Sequence, residues 1–125
     1  MSRGLIDTSV VISLARGERV ELPELAAISV VTLCELHHGV LIADDDHRAG
    51  RLATLVMAER SFRPLALDQR VAPHYGRIVA DARRRGRRPG TADALIAATA
   101  AGHDLPVFTR DRDFAGFAGV EVVLA

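Results

Sequence analysis

Apolar positions along the chain change period several times. Short continuous apolar runs, the mark of a buried strand, alternate with longer stretches in which apolar residues recur every three or four positions, the mark of a helix. Arg3–Ile6 reads as a buried strand, followed by a helix over Thr8–Arg16 with Thr8 or Ser9 as its N-cap. Gly17 is placed to end that helix. Leu25–Ser29 reads as a second strand, and Ser29 can cap a helix over Val30–Ala43. Asp44–Asp46 is a charged break that suits the start of a helix over His47–Arg60. Phe62–Leu67 is a third strand, and Asp68 can cap a helix running to Arg85. Thr91 can cap Ala92–Gly102, after which Leu105–Thr109 and Val120–Leu124 read as the fourth and fifth strands.

Strands that alternate with helices imply βαβ units. The expected class is therefore α/β: one domain over residues 1–125, with a central, mostly parallel five-stranded sheet and helices on both faces. In such sheets, sites form outside the carboxyl ends of the strands. Polar residues at strand ends and helix starts are thus the ones to weigh.

Composition narrows the chemistry. The chain is 49% hydrophobic but only 4% aromatic, so its core rests on Val, Leu, Ile and Ala. The single cysteine, Cys34, cannot form an internal disulfide and is read as a small buried hydrophobe. The first residues lack the basic, apolar and cleavage regions of a signal peptide. No apolar run approaches the roughly 20 residues needed to span a bilayer. A cytoplasmic protein away from membranes is expected. Net charge is zero, yet all 16 basic residues are arginine. The absence of lysine excludes P-loop, Schiff-base and lysine general-base chemistry.

The acids carry the signal. Asp7 ends the first strand, Glu35 lies in the apolar stretch Val30-Val-Thr-Leu-Cys-Glu-Leu, and Asp93 opens the last long helix. Asp111 and Asp113 follow the fourth strand in Thr109-Arg-Asp-Arg-Asp-Phe. Each has a plain structural reading: a helix cap for Asp7, a surface position for Glu35, the helix dipole for Asp93, a solvated turn for Asp111 and Asp113. All five nevertheless fall on one rim of a parallel sheet, and convergent carboxylates suit hard cations such as Mg²⁺ and Mn²⁺. Two carboxylates about 4 Å apart repel by roughly 4 kcal/mol at an effective dielectric near 20, so such a rim either raises a pKa or recruits a cation. No cysteine or histidine spacing supports structural zinc. Glu35 and His38 form one Glu-x-x-His, but a di-iron site needs a second copy. His37, His38, His47, His74 and His103 are read as surface or boundary residues.

Ile6-Asp-Thr-Ser, Thr32-Leu-Cys-Glu-Leu with Gly39 beyond it, Asp93-Ala-Leu-Ile-Ala-Ala and Thr109-Arg-Asp-Arg-Asp-Phe occur in this order. Together they resemble the PIN domain, most closely the VapC-like toxins of bacterial toxin–antitoxin pairs, across essentially the whole chain. The resemblance implies that Asp7, Glu35, Asp93 and Asp111 are the catalytic acids and metal ligands. Asp113 takes the neighbouring acidic position, with Thr8, Ser9 and Thr109 as accompanying hydroxyls. It implies one or two Mg²⁺ or Mn²⁺ ions, cleavage of single-stranded RNA to a 5′-phosphate and a 3′-hydroxyl, a homodimer, and a cognate antitoxin whose C-terminal segment covers the site. Arg83-Arg-Arg-Gly-Arg-Arg abuts Asp93, so Arg84, Arg85, Arg87 and Arg88, with Arg110 and Arg112, are candidates for the RNA backbone. The plain alternatives are a solvated helix end for the run and internal counter-ions for Arg110 and Arg112. Leu41, Ile42, Leu52, Leu55, Val56 and Met57 are more apolar than one small domain must bury, and the surplus suits a dimer or antitoxin face.

Two other readings compete. One is a PIN-type nuclease of RNA maturation or decay without an antitoxin. The other is a non-catalytic doubly wound binding or signalling domain. A phosphoacceptor receiver would need a lysine, and a dehalogenase-like phosphatase would want Asp-x-Asp where this chain has Asp7-Thr-Ser.

Overall fold

A computed structural model describes residues 1–125. In chain order the elements are β1 (Arg3–Ile6), α1 (Thr8–Ala15), β2 (Leu25–Ser29), α2 (Val30–Ile42), α3 (Asp45–Ser61) and β3 (Arg63–Leu65). They continue with α4 (Ala72–Arg84), α5 (Thr91–Gly102), β4 (Val107–Thr109), a 3₁₀ turn at Arg112–Phe114 and β5 (Val122–Leu124). The five strands form one sheet in the order β3-β2-β1-β4-β5, and every pairing is parallel.

Side-chain alternation along the strands divides the core in two. Leu5, Val107 and the buried face of α5 pack with Ile78, Phe114 and Phe117. Ile6, Ile28 and Phe108 pack on the other face with Val10, Val11, Leu36 and Leu55. Helix α5 is apolar nearly all round, and Ala94, Ile96, Ala97, Ala98, Thr99 and Ala100 are all buried. Its small side chains let it lie close to both the sheet and α4. Gly4 in β1 serves a similar purpose, because a Cβ there would stand 2.5 Å from the Phe108 ring.

Several helix starts differ from the sequence expectation. Asp7, not Thr8 or Ser9, caps α1: its carboxylate accepts the Val10 N–H. Asp68 does not cap α4. It accepts the Arg70 N–H within a preceding turn, and the helix begins beyond Val71, with proline in its first turn. The fixed φ of proline suits that place. Thr91 is the first residue of α5 rather than its cap, which is Gly90. Ser29 caps α2 and Gly17, at φ +73°, follows the end of α1, both as the residue types lead one to expect. Cys34 is exposed rather than buried, since the apolar run around it wraps a helix with an outward side.

The link from β4 to β5, residues 110–121, shapes everything that follows. A parallel crossover is usually made by a helix. Here the only helical piece is the 3₁₀ turn Arg112–Phe114, so carbonyls outside it need partners from elsewhere.

Candidate active site

All strands run the same way, so their carboxyl ends share one edge. The strand order reverses at β1, and the crevice between β1 and β4 is the topological switch point where such folds place their sites. Asp7 follows β1 and Thr109 ends β4, at the two lips of that crevice.

Asp7 is only 3% exposed. Its Oδ1 accepts the Ser9 hydroxyl at 2.6 Å and the Val10 N–H at 3.1 Å. Its Oδ2 accepts the Thr109 hydroxyl at 2.6 Å, and Thr109 in turn accepts the Asp111 N–H at 2.9 Å. One carboxylate thus fastens β1, α1 and the start of the β4–β5 link. Burial nevertheless raises its pKa, because the lost hydration of the anion outweighs those three hydrogen bonds; the Asp111 charge adds to the rise.

Glu35 enters from α2, where Oε1 accepts the Thr8 hydroxyl at 2.6 Å. Thr8 Oγ1 also lies 3.0 Å from Thr32 Oγ1. Thr32 and Glu35 are three apart on α2 and share a face. Thr32 is fully buried, and sequence reasoning passed over it; a hydroxyl one helical turn before a candidate acid is the signal that points to it.

Asp93 lies in the first turn of α5. Its pKa is pushed up to about 6, first by burial and then by the charges of Asp111, Glu35, Asp7 and Asp113. All five sequence-predicted acids therefore act on one electrostatic field. None of them takes part in an ion pair, although six other acids of the chain do. Negative charge at this edge is left without a protein counter-charge.

The donor set fits a hard divalent cation: carboxylates and hydroxyls, with no soft ligand and no arginine in an ion pair with them. As the side chains stand, no three of these carboxylates meet within direct ligating distance of one point. That spacing suits an ion which keeps several waters and needs only one or two direct carboxylates, as Mg²⁺ does.

The arginines part company. Arg85 donates to the Gly116 carbonyl at 2.5 Å while pairing with Asp81 at 2.7 Å. Arg87 donates to the carbonyls of Asp113 at 2.9 Å and Ala115 at 3.3 Å, with its guanidinium 5.9 Å from the Phe117 ring centre. These two supply the partners that the helix-poor β4–β5 link lacks, so part of their donor capacity is spent within the chain. Arg110 is also engaged elsewhere, with Glu18 at 2.9 Å and Ser13 at 3.2 Å. Arg84, Arg88 and Arg112 remain exposed and outside every ion pair. Arg88 lines a cleft of about 230 Å³ with Asp93 and Asp113. A second, larger groove of about 610 Å³ runs from Thr8 and Glu35 between α1, α2 and α3. On the helices that bound it, Leu41 and Ile42 of α2 and Leu52 of α3 are exposed, whereas Leu55 is buried.

An open parallel sheet whose switch-point crevice is ringed by uncompensated carboxylates defines an α/β domain with an acidic site. The PIN domain model matches residues 4–120, and the chain belongs to that family. It is 41% identical over 127 residues to Ribonuclease VapC5 of Mycobacterium tuberculosis, covering 96% of this chain and 93% of that protein. Ribonuclease VapC4 of the same organism is 38% identical over 97% of this chain and 95% of its own length. Among solved structures, VapBC-5 from M. tuberculosis, a member of the VapBC family of toxin–antitoxin systems, superposes with a TM-score of 0.85. It shares 38% identity over 100% of both chains. FitAcB from Neisseria gonorrhoeae superposes at 0.72 with 31% identity, covering 96% of each chain.

Proposed function

We propose that this protein is a divalent-metal-dependent endoribonuclease that cuts single-stranded regions of RNA and serves as the toxin of a toxin–antitoxin pair. Its relatives are ribonucleases of the VapC type, and one observation carries the reading to this chain. Five carboxylates share one field at the switch-point crevice, and none has a counter-charge from the protein.

In this reading Asp7, Glu35 and Asp93 would hold or orient Mg²⁺ or Mn²⁺, directly or through its waters, and Asp111 with Asp113 would hold a second ion or position the water. A bound cation supplies charge neutralisation at the scissile phosphate and a more acidic water. The remaining work falls to side chains. Thr109 and Ser9 keep the Asp7 carboxylate in one orientation. Thr8 does the same for Glu35. Arg88, with Arg84 and Arg112, guides the RNA backbone towards the rim.

The antitoxin occupies the groove between α1, α2 and α3, ending beside Glu35. The open groove and the exposed Leu41, Ile42 and Leu52 support that placement, and a solved relative belongs to the VapBC family of toxin–antitoxin systems. We take residues 1–125 as one PIN unit that works as a homodimer in the cytoplasm; no helix is long and apolar enough to cross a membrane.

Cleavage of a defined single-stranded RNA tests the assignment. Asp7→Asn and Asp93→Asn should each lower the rate at least about 100-fold, some 2.7 kcal/mol of transition-state stabilisation, with an unchanged circular dichroism spectrum. Chelator should stop the wild type. Undiminished cutting by both variants in added Mg²⁺ would falsify the reading.

A further inference from the structure

Away from the acidic rim, β1, β2 and β3 carry a third concavity, of about 620 Å³. Its construction follows from strand register. Arg3 pairs with Leu25, Leu5 with Ala27, and Ala27 with Arg63. Neighbours in register point to the same face, so Arg3, Leu25, Ala27 and Arg63 all project to the side that α5 covers. Helix α5 ends at Gly102, short of these residues, and leaves them as the floor and rim of a cleft. Arg70 and His103 close its far side.

The charges there are unbalanced. Asp68, the one carboxylate lining the cleft, is engaged with Arg70 at 3.3 Å. Arg3 and Arg63 take part in no ion pair. They stand on strands two apart and two residues out of register, about 12 Å in the sheet plane, so two guanidinium arms can close on one anion from opposite sides. His103 contributes the only buried side-chain polar atom without a hydrogen-bond partner, Nε2; a buried polar group in that state calls for a partner. Between the arginines the floor is apolar, made by Leu25, Ala27, Leu65 and Leu105. A volume in the range of small-molecule pockets, with an apolar floor and a few convergent polar groups, is the form of a ligand site.

We propose that this cleft binds a small phosphate monoester with a planar apolar group, of the size of a nucleoside monophosphate. The phosphate lies between Arg3 and Arg63, where guanidinium forks match its oxygens. The planar group lies on the Leu25–Leu65 floor. The inference is independent of the acidic rim, which lies away from this cleft.

Titration of the ¹⁵N-labelled full chain with adenosine 5′-monophosphate, adenosine and inorganic phosphate tests it. The monophosphate should shift amides around Arg3, Arg63, Arg70 and His103. Adenosine alone and phosphate alone should each bind at least tenfold more weakly. Arg3→Gln and Arg63→Gln, both at exposed positions, should each weaken the monophosphate at least tenfold while RNA cleavage stays at the wild-type rate. Shifts confined to Asp93 and Arg88, no shifts at all, adenosine binding as tightly as the monophosphate, or indifference to both substitutions would each overturn the proposal.

Discussion

Thr109 shows how one hydroxyl sets the behaviour of a buried acid. It donates to Asp7 and accepts from the Asp111 backbone, so both ends of the crevice depend on it. Thr109→Val keeps the volume and removes both bonds. The Asp111 N–H and one Asp7 oxygen are then short of a partner, at a cost of about 1–3 kcal/mol, measurable by urea unfolding. A second effect separates orientation from mere stability. The Thr109 bond lowers the Asp7 pKa against the pull of burial. Its loss moves that pKa further up, and the acid limb of the cleavage–pH profile should move to higher pH with it. A profile that keeps its position would leave Thr109 a packing residue only. Asp7 alone was open to a bland reading, the helix cap that it does form on α1; it stood out in the sequence only together with the other acids of the same rim. Thr32 did not, because a threonine inside a helix looks like any other until the fold sets it beside Thr8 and Glu35.

Among the elements, the β4–β5 link is the one whose character the sequence concealed. Continuous apolar runs mark β4 and β5 and a recurrence every three or four residues marks the helices, since burial leaves its imprint on residue type. A crossover made without a helix has no such imprint. Its need for outside hydrogen-bond donors became visible only when Arg85 and Arg87 were found on its carbonyls. Read in one dimension, the arginine run looks uniform; in the fold, its members divide by task. Arg87→Gln should therefore loosen the link that carries Asp111 and Asp113, lowering kcat at least about tenfold with little change in KM. Arg88→Gln should do the reverse: raise KM and make RNA affinity less sensitive to salt, because one phosphate contact is lost. Steady-state kinetics and a salt titration on both variants check the division. Equal effects on the salt slope would refute it.

At the scale of the whole molecule, the acidic rim ties folding to pH and to cation. Asp93 has a pKa of about 6 in the folded chain, above the ordinary aspartate value of 3.8 that the unfolded chain restores, and Asp7 is raised too. A raised carboxylate pKa means that the folded state holds the proton more tightly than the unfolded state. Below about pH 4 both states are protonated and the rim costs nothing. Between about pH 4 and 6 the unfolded chain releases the proton first, so stability falls as pH rises, and above about pH 6 the full penalty stands. Metal-free protein should thus unfold at lower denaturant near pH 7 than near pH 5, once the other groups are accounted for by the Asp93→Asn variant, whose slope across that window should be flatter. On the proposed function, Mg²⁺ would act against the same penalty: bound to the ionised rim of the folded state, at about 100 times its Kd it should add roughly 2.7 kcal/mol. That gain should fade below about pH 6, where protons compete for Asp93. Urea titrations of wild type and Asp93→Asn at the two pH values, with Mg²⁺ and with chelator, read all of these terms together. A wild type that gains no stability from Mg²⁺ near pH 7 would mean that the five acids share a field but not an ion.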